Sequence, residues 1–296
     1  MNPLRNIVNA LRASPALVAT AELRQVAEER RPVASLVLPL AAAPIDIETE
    51  ADELGLARLL AHTERTWTRL GDEEPHWSVI SAERFRQDQV DGHRAEFYAS
   101  GQGDVNTFLA FLARNRVDAH HITRVLEFGC GLGRITRYLA ETFEQVVGMD
   151  ISPSHLRQAD TYLRANGLAK VELQRVQSLA DIDGPADMDA IFSVIVLQHN
   201  PPPAIVSILE RLLRRLRPGG VAYFQVPTHA CDYRFKLEDH LSHGLTATHI
   251  EMHCLPQRRI FQIARDAQCD VLEVREDDWV GRRDVELSNT FLLQRR

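Results

Sequence analysis

Lysine, long apolar runs and paired cysteines are all scarce in this chain of 296 residues. Lysine occurs only at positions 170 and 236, and acidic residues outnumber basic ones by 41 to 34, which gives a formal net charge of −7. This balance argues against a protein that binds nucleic acid through a large positively charged surface. The best candidate for a membrane span, residues 35–45, is far shorter than the roughly 18 apolar residues required. We therefore expect neither nucleic acid nor a membrane as a partner.

The four cysteines are scattered along the chain and form no CxxC pair: Cys130, Cys231, Cys254 and Cys269. This pattern argues against a disulfide framework and is typical of reduced thiols in the cytoplasm. The apolar run at 15–21 is too short for a signal peptide, so we interpret it as mature protein. Hydrophobic residues make up 45% of the chain, which is enough for a sizeable core. We expect a cytoplasmic, globular protein.

From Arg124 onward, short apolar segments alternate with helical patterns. The pattern predicts strands at 124–128, 145–149, 171–176, 189–197 and 221–226, with two closing strands at 271–274 and 285–293. A helix over 204–216 carries leucine and isoleucine at helical spacing. Strands that alternate with helices in this way form a mostly parallel sheet with helices on both faces.

The first hundred residues differ in character. The spacing predicts a helix over 50–70 that ends at Gly71, and a mostly helical segment over 83–113 with an interruption near Gly101 and Gly103. We therefore divide the chain into an N-terminal helical lobe, residues 1–103, and an α/β core, residues 104–296.

The segment with the most chemical information follows the first strand. Glycines occupy positions 129, 131 and 133 in a turn that opens a helix, and glycine lets a ligand approach the backbone closely. The second strand ends at Asp150, where a carboxylate can accept hydrogen bonds from both ribose hydroxyls of a nucleoside. A dinucleotide-binding loop fits less well, because its GxGxxG pattern requires glycine where this chain has Arg134.

The GxGxG spacing, with Glu127 two residues upstream, resembles motif I of class I S-adenosylmethionine-dependent methyltransferases. The resemblance extends to Asp150 and to the segment 216–220, Leu-Arg-Pro-Gly-Gly, and it covers residues 104–296. It implies a Rossmann-like, seven-stranded, mostly parallel sheet with helices on both faces, beside the N-terminal helical lobe. It also implies S-adenosyl-L-methionine as the cofactor.

The resemblance further implies a role for individual residues. The glycines would pack under the methionine and ribose parts of the cofactor, Asp150 would hold the ribose, and Ile151 would lie against the adenine. Glu127 would orient the loop or reach the cofactor's amino group. The residues assigned to cofactor binding are Glu127, Gly129, Cys130, Gly131, Gly133, Asp150, Ile151, Ser178, Leu179 and Leu197.

His199 follows the fourth strand and is our candidate general base, although it could also serve only to shape its loop. His229 and Asp232, after the fifth strand, are the second choice for contacts with the acceptor. Tyr98 is a candidate lid residue, with an ordinary core aromatic as the alternative. The histidine-rich stretch 229–254 matches no common zinc spacing, so we expect no metal there and interpret it as a substrate lid.

These observations predict an S-adenosylmethionine-dependent methyltransferase acting on a small molecule, by O-methylation of a sugar or related metabolite in bacterial glycan or secondary metabolism. An N- or C-methyltransferase acting on a small molecule or a protein remains an alternative. So does a non-catalytic binding module. The surplus N-terminal residues would provide a lid, acceptor selectivity or the contact of a homodimer.

Overall fold

The computed structural model describes residues 46–242, 250–280 and 286–296. Within them, seven strands form one sheet in the order β3-β2-β1-β4-β5-β7-β6. Strands β1 to β5 are parallel, and β7 runs antiparallel to both of its neighbours. This confirms the predicted Rossmann-like, seven-stranded, mostly parallel sheet. The strands are β1 (Arg124–Phe128), β2 (Gln145–Asp150), β3 (Glu172–Arg175), β4 (Met188–Ser193), β5 (Leu216–Ala230), β6 (Cys269–Asp277) and β7 (Glu286–Arg295).

Helices precede the sheet and cover both of its faces. In chain order they are α1 (Glu53–Glu73), α2 (Pro75–Val79), α3 (Arg94–Ala99), α4 (Gly101–Arg114), α5 (Thr136–Thr142), α6 (Pro153–Ala165), α7 (Pro202–Arg214), α8 (Leu237–Ser242) and α9 (Gln257–Asp266). Short 3-10 turns lie at Glu83–Phe85, Val90–Gly92, Ala119–His121, Leu179–Ile182 and Leu197–His199. Ser152 caps α6, and Pro153 occupies its first turn.

The core consists of two apolar layers, one on each face of the sheet. On one face, α7 and α9 pack against the strands, and α7 buries Ile205, Ile208 and Leu212. On the other face, α4 and α5 contribute Phe108, Leu139 and their neighbours. Each such side chain stabilises the fold by about 1.5 to 3 kcal/mol when it is fully buried. The two layers hold the strands rigidly, so the loops at the strand ends have a fixed frame.

The carboxyl ends of β1, β2 and β4 meet at one edge of the sheet. Glu127 in β1 pairs with Gly148 in β2 on one side and with Phe192 in β4 on the other. The loops that follow these strands therefore emerge together. In open α/β sheets, ligands bind at this edge.

One prediction about helix ends was wrong and one is confirmed, and both glycines concerned serve helix packing. Helix α1 continues past Gly71, where a Cβ would lie 2.6 Å from the Ser152 hydroxyl oxygen. The predicted interruption near Gly101 is present, because α3 ends at Ala99 and α4 begins at Gly101, where a Cβ would overlap the main chain of Arg134. Both glycines allow a helix to approach the loops around the strand ends.

The division of the chain at residue 103 stays a prediction, and α4 spans it. Residues 1–45 lie outside the described residues, as does part of the predicted lid 229–254. Strand β5 is longer than predicted and includes His229. Among the described helices, none has both the length and the apolar character of a membrane span.

Candidate cofactor and acceptor site

One cleft lies at the carboxyl ends of β1, β2 and β4. It contains about 910 Å³ of space not filled by protein atoms, with its open mouth included. Its floor is formed by the loops after the three strands, and α1 and α2 form the opposite wall. Of the residues assigned to the cofactor, Glu127, Gly129, Cys130, Gly131, Asp150 and Ile151 line this cleft.

The glycine loop turns sharply beneath the cleft. Gly129 has φ +82°, and its amide donates to the carbonyl of Met149 at 2.7 Å. A Cβ at this position would overlap the side chain of Val196. Gly133 has φ +78° and faces Ala159 and Leu163 of α6, so it serves helix packing and lies behind the cleft. The loop thus requires glycine at 129 for its own geometry before any ligand is considered.

Asp150 is held in place by the backbone around it. One carboxylate oxygen accepts from the amide of Gly131 at 2.8 Å, and the other accepts from the amide of Ser152 at 2.8 Å. A carboxylate has about four lone-pair positions, so each oxygen can accept a second hydrogen bond. Because the side chain lines the cleft, these acceptors suit a pair of neighbouring hydroxyl groups such as those of a ribose.

Glu127 is a buried carboxyl group at the floor of the cleft. It accepts a hydrogen bond of 2.6 Å from the Thr136 hydroxyl, and burial raises its pKa to about 8. A cation brought into the cleft would favour the ionised carboxylate and lower this pKa. The residue therefore fits the positively charged amino group of an amino-acid ligand.

Arg134, which follows the glycines, makes a buried ion pair. Its guanidinium donates to Asp104 of α4 at 2.6 Å and to the Ser100 hydroxyl at 3.1 Å. The two charged side chains are only 8% and 6% exposed. Burial raises the pKa of Asp104, and the nearby guanidinium opposes that effect. The ion pair therefore links the glycine loop to α4.

His199 lies in the 3-10 turn after β4 and lines the cleft. Its Nδ1 lies 2.8 Å from the main-chain carbonyl oxygen of Glu251. Because a carbonyl only accepts, Nδ1 carries the proton and Nε2 has the lone pair. Burial lowers the pKa of His199 to about 4, so the ring is neutral at pH 7. Nε2 accepts a long hydrogen bond of 3.3 Å from the side-chain amide of Gln198.

Four of the residues assigned to the cofactor are not among those that line the cleft: Gly133, Ser178, Leu179 and Leu197. Ser178 is exposed and caps the short 3-10 turn that begins at Leu179, and the cleft is lined instead by Val176 and Ile182. Leu197 is fully buried in the core, and its place at the cleft is taken by the run 194–196.

The residues predicted for the acceptor or the lid lie apart from the cleft lining. Tyr98 is stacked on Tyr162, with ring centroids 3.6 Å apart, and belongs to an apolar cluster with Phe97, so it is a core aromatic. His229 is buried within β5, and Asp232 is exposed in the turn that follows. None of these three side chains is among those that line the cleft, so their predicted roles stay predictions.

Sequence reasoning missed the wall that the N-terminal part contributes. Leu60, Thr63 and Trp67 of α1 line the cleft, together with Ser78 and Val79 of α2. The Trp67 ring lies 5.1 Å from the His199 ring, measured between centroids. The apolar face of α1 was visible in the sequence, but the surface it covers depends on contacts between residues more than 60 positions apart.

His155 of α6 also lines the cleft and was not predicted. Its Nε2 lies 3.0 Å from the Ser78 hydroxyl oxygen and 3.3 Å from the Pro75 carbonyl oxygen. Burial lowers the pKa of His155. The side chain thus joins α6 to α2 as a neutral hydrogen-bonding group.

Part of this chain is similar to known methyltransferases. Residues 125–220 match the family model described as a methyltransferase domain. The ubiquinone biosynthesis O-methyltransferase of Methylococcus capsulatus is 31% identical over 102 residues, which is 34% of this chain and 42% of that protein. The trans-aconitate 2-methyltransferase of an Azoarcus species is 38% identical over 114 residues, 38% of this chain and 42% of that protein. The match thus spans less than half the length of these curated relatives.

A solved structure supports the same fold. Magnesium protoporphyrin IX methyltransferase from Synechocystis, with bound SAH, has a TM-score of 0.53 and 16% sequence identity. The alignment covers 78% of this chain and the whole of that one. The shared architecture therefore extends well beyond the segment that sequence similarity detects.

Proposed function

We propose that this chain is a class I S-adenosylmethionine-dependent methyltransferase that transfers a methyl group from S-adenosyl-L-methionine to a small molecule, and the match of residues 125–220 to a methyltransferase domain supports this proposal. The observation that carries the proposal is the convergence of Glu127, Gly129 and Asp150 at one cleft. When bound, the cofactor supplies an electrophilic methyl group. The protein has to hold that group, align the acceptor with it and exclude water.

The residues of the cleft suit each part of the cofactor. The buried carboxyl group of Glu127 suits the amino group of the methionine part, and Asp150 offers acceptors to the ribose hydroxyls. The apolar side chains of Ile151, Val176 and Ile182 suit the adenine ring. Together these groups favour a charged amino acid joined to a nucleoside over a dinucleotide.

Replacing Asp150 with alanine is expected to weaken S-adenosylmethionine binding at least about tenfold, because a hydrogen bond to a charged group contributes about 1.5 to 3 kcal/mol. Isothermal titration calorimetry measures this. The matched control is Asp160→Ala, at an exposed aspartate on α6 that pairs with Arg164, and its affinity should not change. If the wild type bound no cofactor at millimolar concentration, the chain would be a non-catalytic module. If it bound a nicotinamide dinucleotide instead, the cofactor assignment would be wrong.

For the acceptor, we propose an oxygen atom of a sugar or related ring-shaped metabolite. Trp67 offers a flat face beside His199, and Asn200 adds an amide to the lining. An alcohol must lose its proton as the methyl group is transferred. His199 is neutral and carries its lone pair on Nε2, so it can receive that proton after exchanging the long hydrogen bond from Gln198.

Replacing His199 with alanine is expected to reduce turnover at least about tenfold, because general acid–base catalysis typically raises the rate by a factor of about 10² to 10⁴. The cofactor affinity should stay within about twofold. The pKa of about 4 gives the sign of the pH dependence: the base form is lost only as the pH falls towards 4, so this group leaves the rate flat from pH 6 to 8. The control is His121→Ala, at an exposed histidine. An unchanged rate in His199→Ala would remove the residue from this role.

An amine acceptor is the second candidate, because the low pKa of His199 makes it a weak base. A neutral amine attacks the methyl group without first losing a proton to the enzyme. For such a substrate, the His199→Ala variant would keep nearly full activity, and the rate would rise with pH as the amine itself loses its proton. The same variant therefore separates the two acceptor classes.

A further inference from the structure

A second cluster of polar side chains lies beside the His199 turn, and the proposed methyl transfer gives it no role. It consists of His62 from α1, His240 from α8 and Glu251 from the segment before α9. One ligand atom from each residue lies within 4.8 Å of the other two. Residues from α1 and from the part of the chain around α8, which are distant in sequence, thus converge on one point.

The cluster has the geometry of a ligand set. The two oxygens of Glu251 lie 3.1 Å from Nε2 of His62 and 3.8 Å from Nε2 of His240. The two imidazole rings meet edge to face, with centroids 5.8 Å apart. Nε2 of His240 is buried and has no hydrogen-bond partner among the described residues. Buried polar atoms are rarely left unsatisfied, so an unpaired ring nitrogen beside a carboxylate indicates a ligand.

Neighbouring groups hold the carboxylate in place. The Tyr233 hydroxyl lies 2.8 Å from Nδ1 of His253, and Nε2 of His253 lies 3.0 Å from an oxygen of Glu251. Burial raises the pKa of Tyr233, so the hydroxyl keeps its proton and can donate it to Nδ1. Nε2 then carries the ring proton and donates to Glu251. Hydrogen bonds of this kind orient the ligands of protein metal sites.

We propose that His62, His240 and Glu251 bind one divalent transition-metal ion. Two imidazoles and one carboxylate suit zinc or iron(II), whereas magnesium and calcium prefer oxygen ligands. Tetrahedral zinc, with ligands at about 2.0 to 2.2 Å, would bring neighbouring ligand atoms to about 3.4 Å from one another. The oxygens of Glu251 lie near that distance from Nε2 of His62 and of His240, at 3.1 Å and 3.8 Å.

The same ion would act on the methyl-transfer site through Glu251. The main-chain carbonyl of this residue accepts the hydrogen bond from Nδ1 of His199. An ion that fixes Glu251 therefore also fixes the orientation of the His199 ring. The ligands lie at positions 62, 240 and 251, which is why the spacing within the stretch 229–254 gave no sign of a metal.

Zinc binding tests the site without any measurement of turnover, so its outcome is independent of methyl transfer. The full chain is treated with a chelator, dialysed and titrated with zinc chloride in a calorimeter, and we expect one equivalent to bind. His240→Gln and Glu251→Gln should each weaken binding at least about tenfold. His121→Gln, at a histidine whose side chain is 82% exposed, is the control and should bind as the wild type does. Magnesium at millimolar concentration should not displace the zinc.

Two results would overturn the proposal. One is a wild-type protein that binds no zinc at micromolar concentration, and this result needs no variant. The other is a folded His240→Gln variant, checked by circular dichroism, that binds zinc with wild-type affinity. Cobalt(II) gives a second readout, since its intense visible absorption bands report tetrahedral coordination and should be present in the wild type and lost in His240→Gln.

Discussion

Replacing Gly129 with alanine is expected to abolish micromolar S-adenosylmethionine binding and to lower the free energy of unfolding by about 2 to 5 kcal/mol. The φ of +82° costs a residue with a Cβ about 1 to 2 kcal/mol. The new methyl group would also overlap Val196, and overpacking costs about 1 to 3 kcal/mol more. Relief of the overlap has to move the loop after β1 or the loop after β4, and both line the cleft.

Gly167→Ala is the matched control for this prediction. Gly167 also has a positive φ, +76°, but no other atom lies within 4 Å of the position that a Cβ would take there. The free energy of unfolding of this variant should fall only by the cost of the positive φ, about 1 to 2 kcal/mol, and the variant should bind the cofactor normally. Chemical denaturation and calorimetry measure the two quantities. Equal stability and equal affinity in the two variants would show that the contact with Val196 does not constrain the loop.

Replacing Asp104 with asparagine is expected to lower the free energy of unfolding by about 3 to 5 kcal/mol, because it leaves the buried guanidinium of Arg134 without its counter-charge. The guanidinium stays protonated in proteins, so Arg134 cannot avoid this cost by becoming neutral. Arg134→Met should cost less, because burial already raises the pKa of Asp104 and the unpaired carboxyl group can take up a proton. A carboxyl group whose pKa is raised by folding stabilises the folded protein at low pH, where it is protonated. The loss of unfolding free energy in Arg134→Met should therefore grow as the pH rises above 4.

The exposed ion pair between Arg164 and Asp160 provides the control. Its side chains are 62% and 49% exposed, and its nitrogen and oxygen lie 2.8 Å apart. Arg164→Met should change the free energy of unfolding by less than about 1 kcal/mol, since solvent screens such pairs. Urea denaturation at pH 5 and pH 8 supplies all the values. A loss in Asp104→Asn as small as that in Arg164→Met would contradict the assigned role of the buried pair.

The parts of the site that the sequence predicts are encoded locally. Gly129 follows β1 and Asp150 ends β2, and the rule that the ends of adjacent parallel strands meet at one edge is enough to bring them together. The glycine spacing and the apolar strands fix this register without reference to the rest of the chain. The seven-stranded sheet is predictable for the same reason, because each strand is recognised from its own residues.

The sequence predictions differ from the structure where a local irregularity or a contact with a distant residue determines the backbone path. Strand β4 ends at Ser193, and Ile195 then takes a φ of +59°, which is unusual for a β-branched residue. The amide of Ile195 is held by the side chain of Gln225 at 3.0 Å. This turn breaks the strand alternation and sends Leu197 into the core. No pattern near Leu197 reveals it, because the residue that supports the turn lies on another strand.

The wall that α1 and α2 contribute to the cleft lies outside the segment 125–220 that matches the family. The cleft is thus encoded by two separate stretches of the gene, of which only one matches the family model. Under the proposed function, substitutions at Leu60, Thr63 or Trp67 would alter the acceptor side of the cleft while the glycine loop stays intact, so selection could change one trait without changing the other. Two proteins with nearly identical glycine loops would then be free to act on different small molecules, and a directed-evolution library restricted to this wall would test that freedom.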